Sequence, residues 1–170
     1  MKHVRKIACL AMTLLASVAA QGAPVTWTLV GATLDDGSTA SGFFTYDAAT
    51  QVYSNYSIAF TAGSVGAAIV YDAAAQVFGT SSPTNLTLTL GNVTNYMNLA
   101  FDDALTDAGG TVAISIDPGF SFSSSSWECA NCTNTRLFTG GRVTSVPVPE
   151  PAALLLVATA LAGLGLTRRR

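Results

Sequence analysis

From Val25 onward the hydrophobic positions fall in short runs with a period of two, and no segment of the body sustains a helical period. Trp27 and Leu29 face one way with Thr26 and Thr28 opposite, and Leu86, Leu88 and Leu90 alternate with Thr87 and Thr89. The pattern predicts strands over Val25 to Thr33, Thr39 to Tyr46, Val52 to Thr61, Gly66 to Tyr71, Gln76 to Thr80, Asn85 to Leu90, Tyr96 to Phe101, Thr111 to Ile116 and Arg136 to Val146. Gly, Asp, Asn and Ser clusters separate them, with Asp35-Asp36-Gly37 joining the first two and Gly109-Gly110 preceding a later one. The expected fold is all-β, an antiparallel β-sandwich of jelly-roll-like type.

One local repeat stands out. Tyr46-Asp47-Ala48-Ala49-Thr50-Gln51-Val52-Tyr53 recurs as Tyr71-Asp72-Ala73-Ala74-Ala75-Gln76-Val77-Phe78. Each copy reads as the end of a strand, a turn begun by Asp bonding the backbone two residues on, and an aromatic opening the next strand, with the flanking aromatics able to pair across strands.

Charge narrows the function classes. Of eight Lys and Arg only Arg136 and Arg142 lie in the body, whereas all ten acids lie between Asp35 and Glu150; Gln21 to Glu150 therefore carries −8, hidden by a whole-chain value of −2. Nucleic acid is excluded as a partner, because phosphate affinity comes from clustered Lys and Arg. The one histidine, His3, is near the N-terminus, so the body has no imidazole for a Ser-His-Asp or Cys-His pair or for a zinc site. A non-enzyme without cofactor is expected.

Both ends read as targeting segments. Lys2, Arg5 and Lys6 precede the apolar run Ile7 to Ala16 and then small residues, the order of a secretory signal over 1–23 with cleavage after Ala20 or Ala23. The exported domain is then 24–147. At the other end, Pro149-Glu150-Pro151 leads into the uncharged run Ala152 to Thr167 and a terminal Arg168-Arg169-Arg170. A sixteen-residue helix over 152–167 is about 24 Å long against a hydrocarbon core of about 30 Å, a gap that snorkelling arginines and local thinning cover. The positive-inside rule puts both basic ends in the cytoplasm and the body outside the inner membrane.

The tail 148–170, with its proline motif, short helix and arginine cluster in that order, resembles the PEP-CTERM sorting signal of Gram-negative bacteria. The resemblance implies that the protein is a substrate of exosortase, a membrane-embedded cysteine transpeptidase that cuts near Pro149, Glu150 and Pro151, removes the helix and passes the protein to the cell surface or an exopolysaccharide matrix. Physical chemistry agrees with those roles: Pro149 and Pro151 favour an extended strip that a protease can read, and Glu150 offers one carboxylate for an Arg or Lys of the enzyme to grip.

Three constellations in the body carry candidate chemistry. With Cys9 in the signal, Cys129 and Cys132 are the mature chain's cysteines; in an oxidising envelope, with no third or fourth metal ligand, they read as a disulfide clipping the serine-rich loop Ser121 to Ser126. Redox activity would require a thioredoxin-like βαβ setting that the sequence does not display. Asp35-Asp36 and Asp102-Asp103 are weak calcium candidates without EF-hand spacing, their alternative being solvated turns. Trp127, Tyr53, Tyr56 and Tyr96 are candidates for stacking on sugar rings or, alternatively, core residues. The reading is an exported surface or extracellular-matrix protein with a structural or adhesive role, exopolysaccharide being a candidate partner; the alternative is a calcium- or carbohydrate-binding module.

Overall fold

A computed structural model describes residues 23–146 apart from 80–81, 92–93 and 118–120, together with Thr159. The expected signal peptide up to residue 22, the motif 149–151, the helix 152–167 except Thr159 and the arginine cluster lie outside the described residues. Among the described residues no helix is long and apolar enough to cross a membrane.

The body is all-β and antiparallel. Its strands are β1 (Val25–Leu34), β2 (Thr39–Asp47), β3 (Val52–Phe60), β4 (Ile69–Tyr71), β5 (Gln76–Val77), β6 (Asn85–Leu90), β7 (Asn95–Ala100), β8 (Gly110–Ala113), β9 (Trp127–Ala130) and β10 (Asn134–Ser145). They join in one hydrogen-bonded path, β4-β3-β2-β1-β10-β9-β7-β6-β5, with β8 alongside β10. β10 links the two wings: Phe138 to Thr144 pair with β1, Asn134 to Leu137 pair with β9, and Arg142 to Ser145 pair with β8. The expectation of a jelly-roll-like sandwich is therefore met at the level of class, an antiparallel all-β fold, while the architecture is a single sheet curled into a half-barrel. Curling is forced by the connectivity, since β4 and β5 end the path at opposite edges yet only residues 72–75 separate them in the chain.

Bulges set which face each strand buries. Val25, Trp27 and Leu29 are buried at odd positions, but Ala32 and Leu34 are buried at even ones. The switch falls where β1 shifts register against both neighbours, at Gly31, whose φ of 64° lies in the left-handed region that glycine enters without a Cβ penalty. β3 does the same around Asn55, φ 45°: Tyr53 is buried before it, Ile58 and Phe60 after it. Without such slips the second half of each strand would turn its apolar side chains to water.

The buried faces share one core. Phe44 on β2 meets Tyr53 at 5.5 Å between ring centroids and, across the fold, Phe101 at 5.8 Å; Phe60 meets Tyr71 at 5.9 Å and Phe138 at 6.0 Å. Leu86, Leu88, Met97 and Leu99 complete the floor from β6 and β7. Each such side chain stabilises the fold by about 1.5–3 kcal/mol on burial. Relative to the sequence expectation, strand Trp127–Ala130 is new: it occupies the end of what reads as a serine-rich loop.

Candidate functional site

The body contains two cations, and one of them is at its centre. Glu128 on β9 and Arg136 on β10 are register partners across a hairpin whose turn, 131–133, places Asn131 and Cys132 at φ 55° and 43°. Both side chains are buried, and Arg136 Nε donates to Glu128 Oε2 at 2.6 Å. The rest of the guanidinium is spent on the β3–β4 loop and the β1–β2 turn. Nη1 donates to the Thr61 carbonyl at 3.0 Å, Nη2 to the Ala67 carbonyl at 3.2 Å, and Nη1 stands 3.5 Å from Asp36 Oδ2. Phe60 lies beneath it, 5.2 Å from Cζ to the ring centroid. Tyr71, also buried, donates its hydroxyl to Glu128 Oε1 at 3.0 Å.

The loop closes over this cluster because it is built of small residues. A Cβ on Gly66 would sit 2.9 Å from Arg136 Cζ, and one on Gly63 would collide with the Asp36 carboxylate. Ser64 N donates to the Asp36 carbonyl, fastening loop to turn. Two carboxylates thus share one guanidinium, and their titration diverges. Burial pushes the Glu128 carboxyl upward, more than Arg136 and Tyr71 pull it down. Burial also presses on Asp36, but hydrogen bonds from the backbone and hydroxyl of Ser38, with the Arg136 charge, outweigh it and hold that carboxyl below the usual range. The cluster ties β4, β9, β10, the β1–β2 turn and the β3–β4 loop together, with Asp36 Oδ2 buried beside the guanidinium and without a hydrogen-bond partner among the described residues.

The structure distributes the other predicted residues differently. Asp35 Oδ1 accepts from Leu137 N at 3.0 Å, and Asp36 is engaged by Ser38 and Arg136. Asp102 and Asp103 are exposed after β7, and among the described residues no three His, Cys, Asp or Glu converge as a metal site would need. The structure pairs Cys129 with Cys132, their Cα atoms 4.5 Å apart, across the turn of the β9–β10 hairpin that follows the serine-rich loop. Of the stacking candidates, Trp127 and Tyr53 are buried, and Tyr53 donates to the Ser82 carbonyl at 2.8 Å. Tyr56 donates to the Ala75 carbonyl at 2.8 Å, and Tyr96 meets Phe78 edge-on at 5.4 Å.

Where β1 begins and β10 ends, a shallow groove of about 460 Å³ is lined by Pro24, Thr26, Thr28, Thr144, Ser145 and Val146. Thr28 and Thr144 are cross-strand partners on the outer face. The chain leaves the domain here, and the model of the PEP-CTERM protein-sorting motif matches the residues that follow at once, 147–170.

The chain carries a PEP-CTERM protein-sorting motif. Pro149, Glu150, Pro151 and Arg168, Arg169 and Arg170 all fall inside the match, and the PEP-CTERM motif implies an exported protein directed to exosortase and the cell surface. No curated protein and no solved structure matches the chain. Sequence reading located the PEP-CTERM tail but missed Glu128, Arg136 and Tyr71. The signal was present: Arg136 is one of two cations in an acidic body, and Glu128 stands eight positions before it across a Cys-Ala-Asn-Cys turn, the spacing of hairpin partners.

Proposed function

We propose that this protein is a non-enzymatic structural or adhesive component of the cell surface or extracellular matrix. A signal peptide over 1–23 delivers it through the inner membrane, and the helix 152–167 holds it transiently with Arg168, Arg169 and Arg170 on the cytoplasmic side. Exosortase then cuts near Pro149, Glu150 and Pro151 and passes the half-barrel outward, with exopolysaccharide as its surroundings. The observation that carries this reading is the sorting motif directly following a folded domain. A structural role is supported by the use of the cluster around Arg136 to fasten loops and strands together. The Cys129–Cys132 pair, closed by the oxidising envelope, adds a local clip worth about 1–2 kcal/mol for so short a loop.

Intact-mass measurement of envelope and secreted fractions tests the reading. Mature protein is expected to lack both the signal and the residues beyond the motif, and deleting exosortase is expected to leave full-length protein in the inner membrane. Mature protein retaining Arg170 in wild-type cells would establish a permanent anchor instead.

A further inference from the structure

One row of side chains crosses the outer face where β1, β10 and β8 lie side by side. Val30 pairs with Arg142, Arg142 pairs with Ala113, and Asp102 N donates to the Ala113 carbonyl beside the Phe101–Ile114 bridge. Phe101 and Ile114 are buried, so alternation along the chain turns Asp102 and Ala113 outward with Arg142, and all three are exposed. The cation and the carboxylate stand two strand spacings apart, about 10 Å of sheet. Among the described residues neither makes an ion pair, and Arg142 is the one exposed cation of an acidic body. Thr28, Thr144 and Thr111 form the adjacent row, which is uncharged.

We infer that this face is a self-association surface, on which a second copy of the chain docks by two-fold symmetry with Arg142 of each copy on Asp102 of the other. The occupant follows from the order of the charges. A complementary surface must present a carboxylate opposite Arg142 and a cation opposite Asp102 at the same spacing, and this same face turned over does so. A two-fold axis running along β8 above Ala113 exchanges the two positions, as an isologous contact requires. Ala113 projects only a methyl group, and Thr28, Thr144 and Thr111 are short, so the faces can close far enough to bring guanidinium against carboxylate. The acidic bodies repel at long range, but at an ionic strength of about 0.15 M that field decays over about 8 Å, and Asp102 is the only acid in the two rows. The inference goes beyond the structural reading above by naming a contact, and it holds whether or not the tail is cut.

Light scattering of the full-length chain in detergent, with the mass of the micelle subtracted, tests this. Wild type is expected to pass from monomer to dimer as concentration rises and to stop there, because a two-fold contact closes on itself. Arg142→Asp alone and Asp102→Arg alone each set like charges opposite one another and are expected to weaken the dimer about a hundredfold. Mixing the two variants restores both opposite-charge pairs, so the mixture is expected to form a one-to-one dimer at nearly the wild-type concentration. The tail is common to every protein compared, so a difference between them reports the face. Melting temperature is read first, and a variant that melts below wild type is replaced by Arg142→Gln or Asp102→Asn, either of which is expected to weaken the dimer about tenfold. A wild type still monomeric at about 1 mM, a mass that keeps growing beyond the dimer, folded variants that dimerise like wild type, or a mixture of folded charge variants that stays monomeric would overturn the surface.

Discussion

Tyr46–Tyr53 and Tyr71–Phe78 differ at two of eight positions, Thr50 against Ala75 and Tyr53 against Phe78, yet they make different structures. The first closes a hairpin: Tyr46 pairs with Tyr53 and Asp47 with Val52, with Gln51 at φ 57°. The second carries the chain from one edge of the sheet to the other, β4 pairing with β3 and β5 with β6. The turns start alike, since Asp47 accepts from Ala49 N at 2.9 Å and Asp72 from Ala74 N at 3.0 Å. They part at the next residue. Thr50 N bonds the Asp47 side chain, while Ala75 N bonds the Asp72 carbonyl and Ala75 itself is buried under the Tyr56 hydroxyl. The tyrosines part too: the Tyr71 hydroxyl reaches Glu128, whereas the Tyr46 hydroxyl is buried with no hydrogen-bond partner among the described residues. Local sequence sets the Asp turn, and tertiary partners decide what the turn connects.

If the second copy is a corner because the buried cluster holds it, removing the cation should open it. Arg136→Met leaves Glu128 and Asp36 buried without their shared partner, and breaking such a pair costs about 3–5 kcal/mol. Urea unfolding should show that loss, and hydrogen exchange should accelerate first in Ile69–Tyr71 and Gln76–Val77, before Val52–Phe60. Uniform acceleration across both copies would contradict the distinction. Arg142→Met, in the half of β10 that carries no such cluster, is the comparison.

The two tyrosines sharpen it further. Tyr71→Phe strips the donor from a buried carboxylate and should cost about 1.5–3 kcal/mol. Tyr46→Phe removes a buried hydroxyl that has no hydrogen-bond partner and should be neutral or stabilising. Equal losses measured by thermal melting would mean that the hydroxyls do the same work in both copies.

Exchanging the differing turn residue is the next, smaller step. Ala75→Thr inserts a branched polar side chain into a buried site and should cost about 1–3 kcal/mol, whereas Thr50→Ala on the exposed turn should stay within about 0.5 kcal/mol of wild type. A stable Ala75→Thr variant would show that the corner is set elsewhere.

These details bear on what the sequence made legible. Period-two alternation located most strands because burial of Trp27, Leu29, Leu86 and Leu88 follows it directly. The slips at Gly31 and Asn55 were hidden, since a bulge is visible only against a partner strand. β9 was hidden because four residues after a serine run carry too little period. Asp36 read as a surface turn carboxylate because its partner is Arg136, a hundred positions later. The tail motif, by contrast, is a linear signal that an enzyme reads as sequence, so it needed no fold to be recognised.

The smallest expected effect is a slope. Glu128 is held above its ordinary value by burial, so the folded state binds its proton more tightly; the stability this contributes is full below the usual glutamate range and is lost as pH rises through the folded value. Asp36 has the opposite sign: held low, it contributes stability above the usual aspartate range that disappears as pH falls through its folded value. Wild type should therefore lose melting temperature in both directions from a maximum near the ordinary carboxylate range. Glu128→Gln cannot ionise and should flatten the upper limb while leaving the acid limb, which Asp36 and the Asp47 turn carry, in place. A Glu128→Gln variant whose melting temperature still falls above that range as steeply as wild type would assign the limb to another group and remove Glu128 from the titrating half of the cluster.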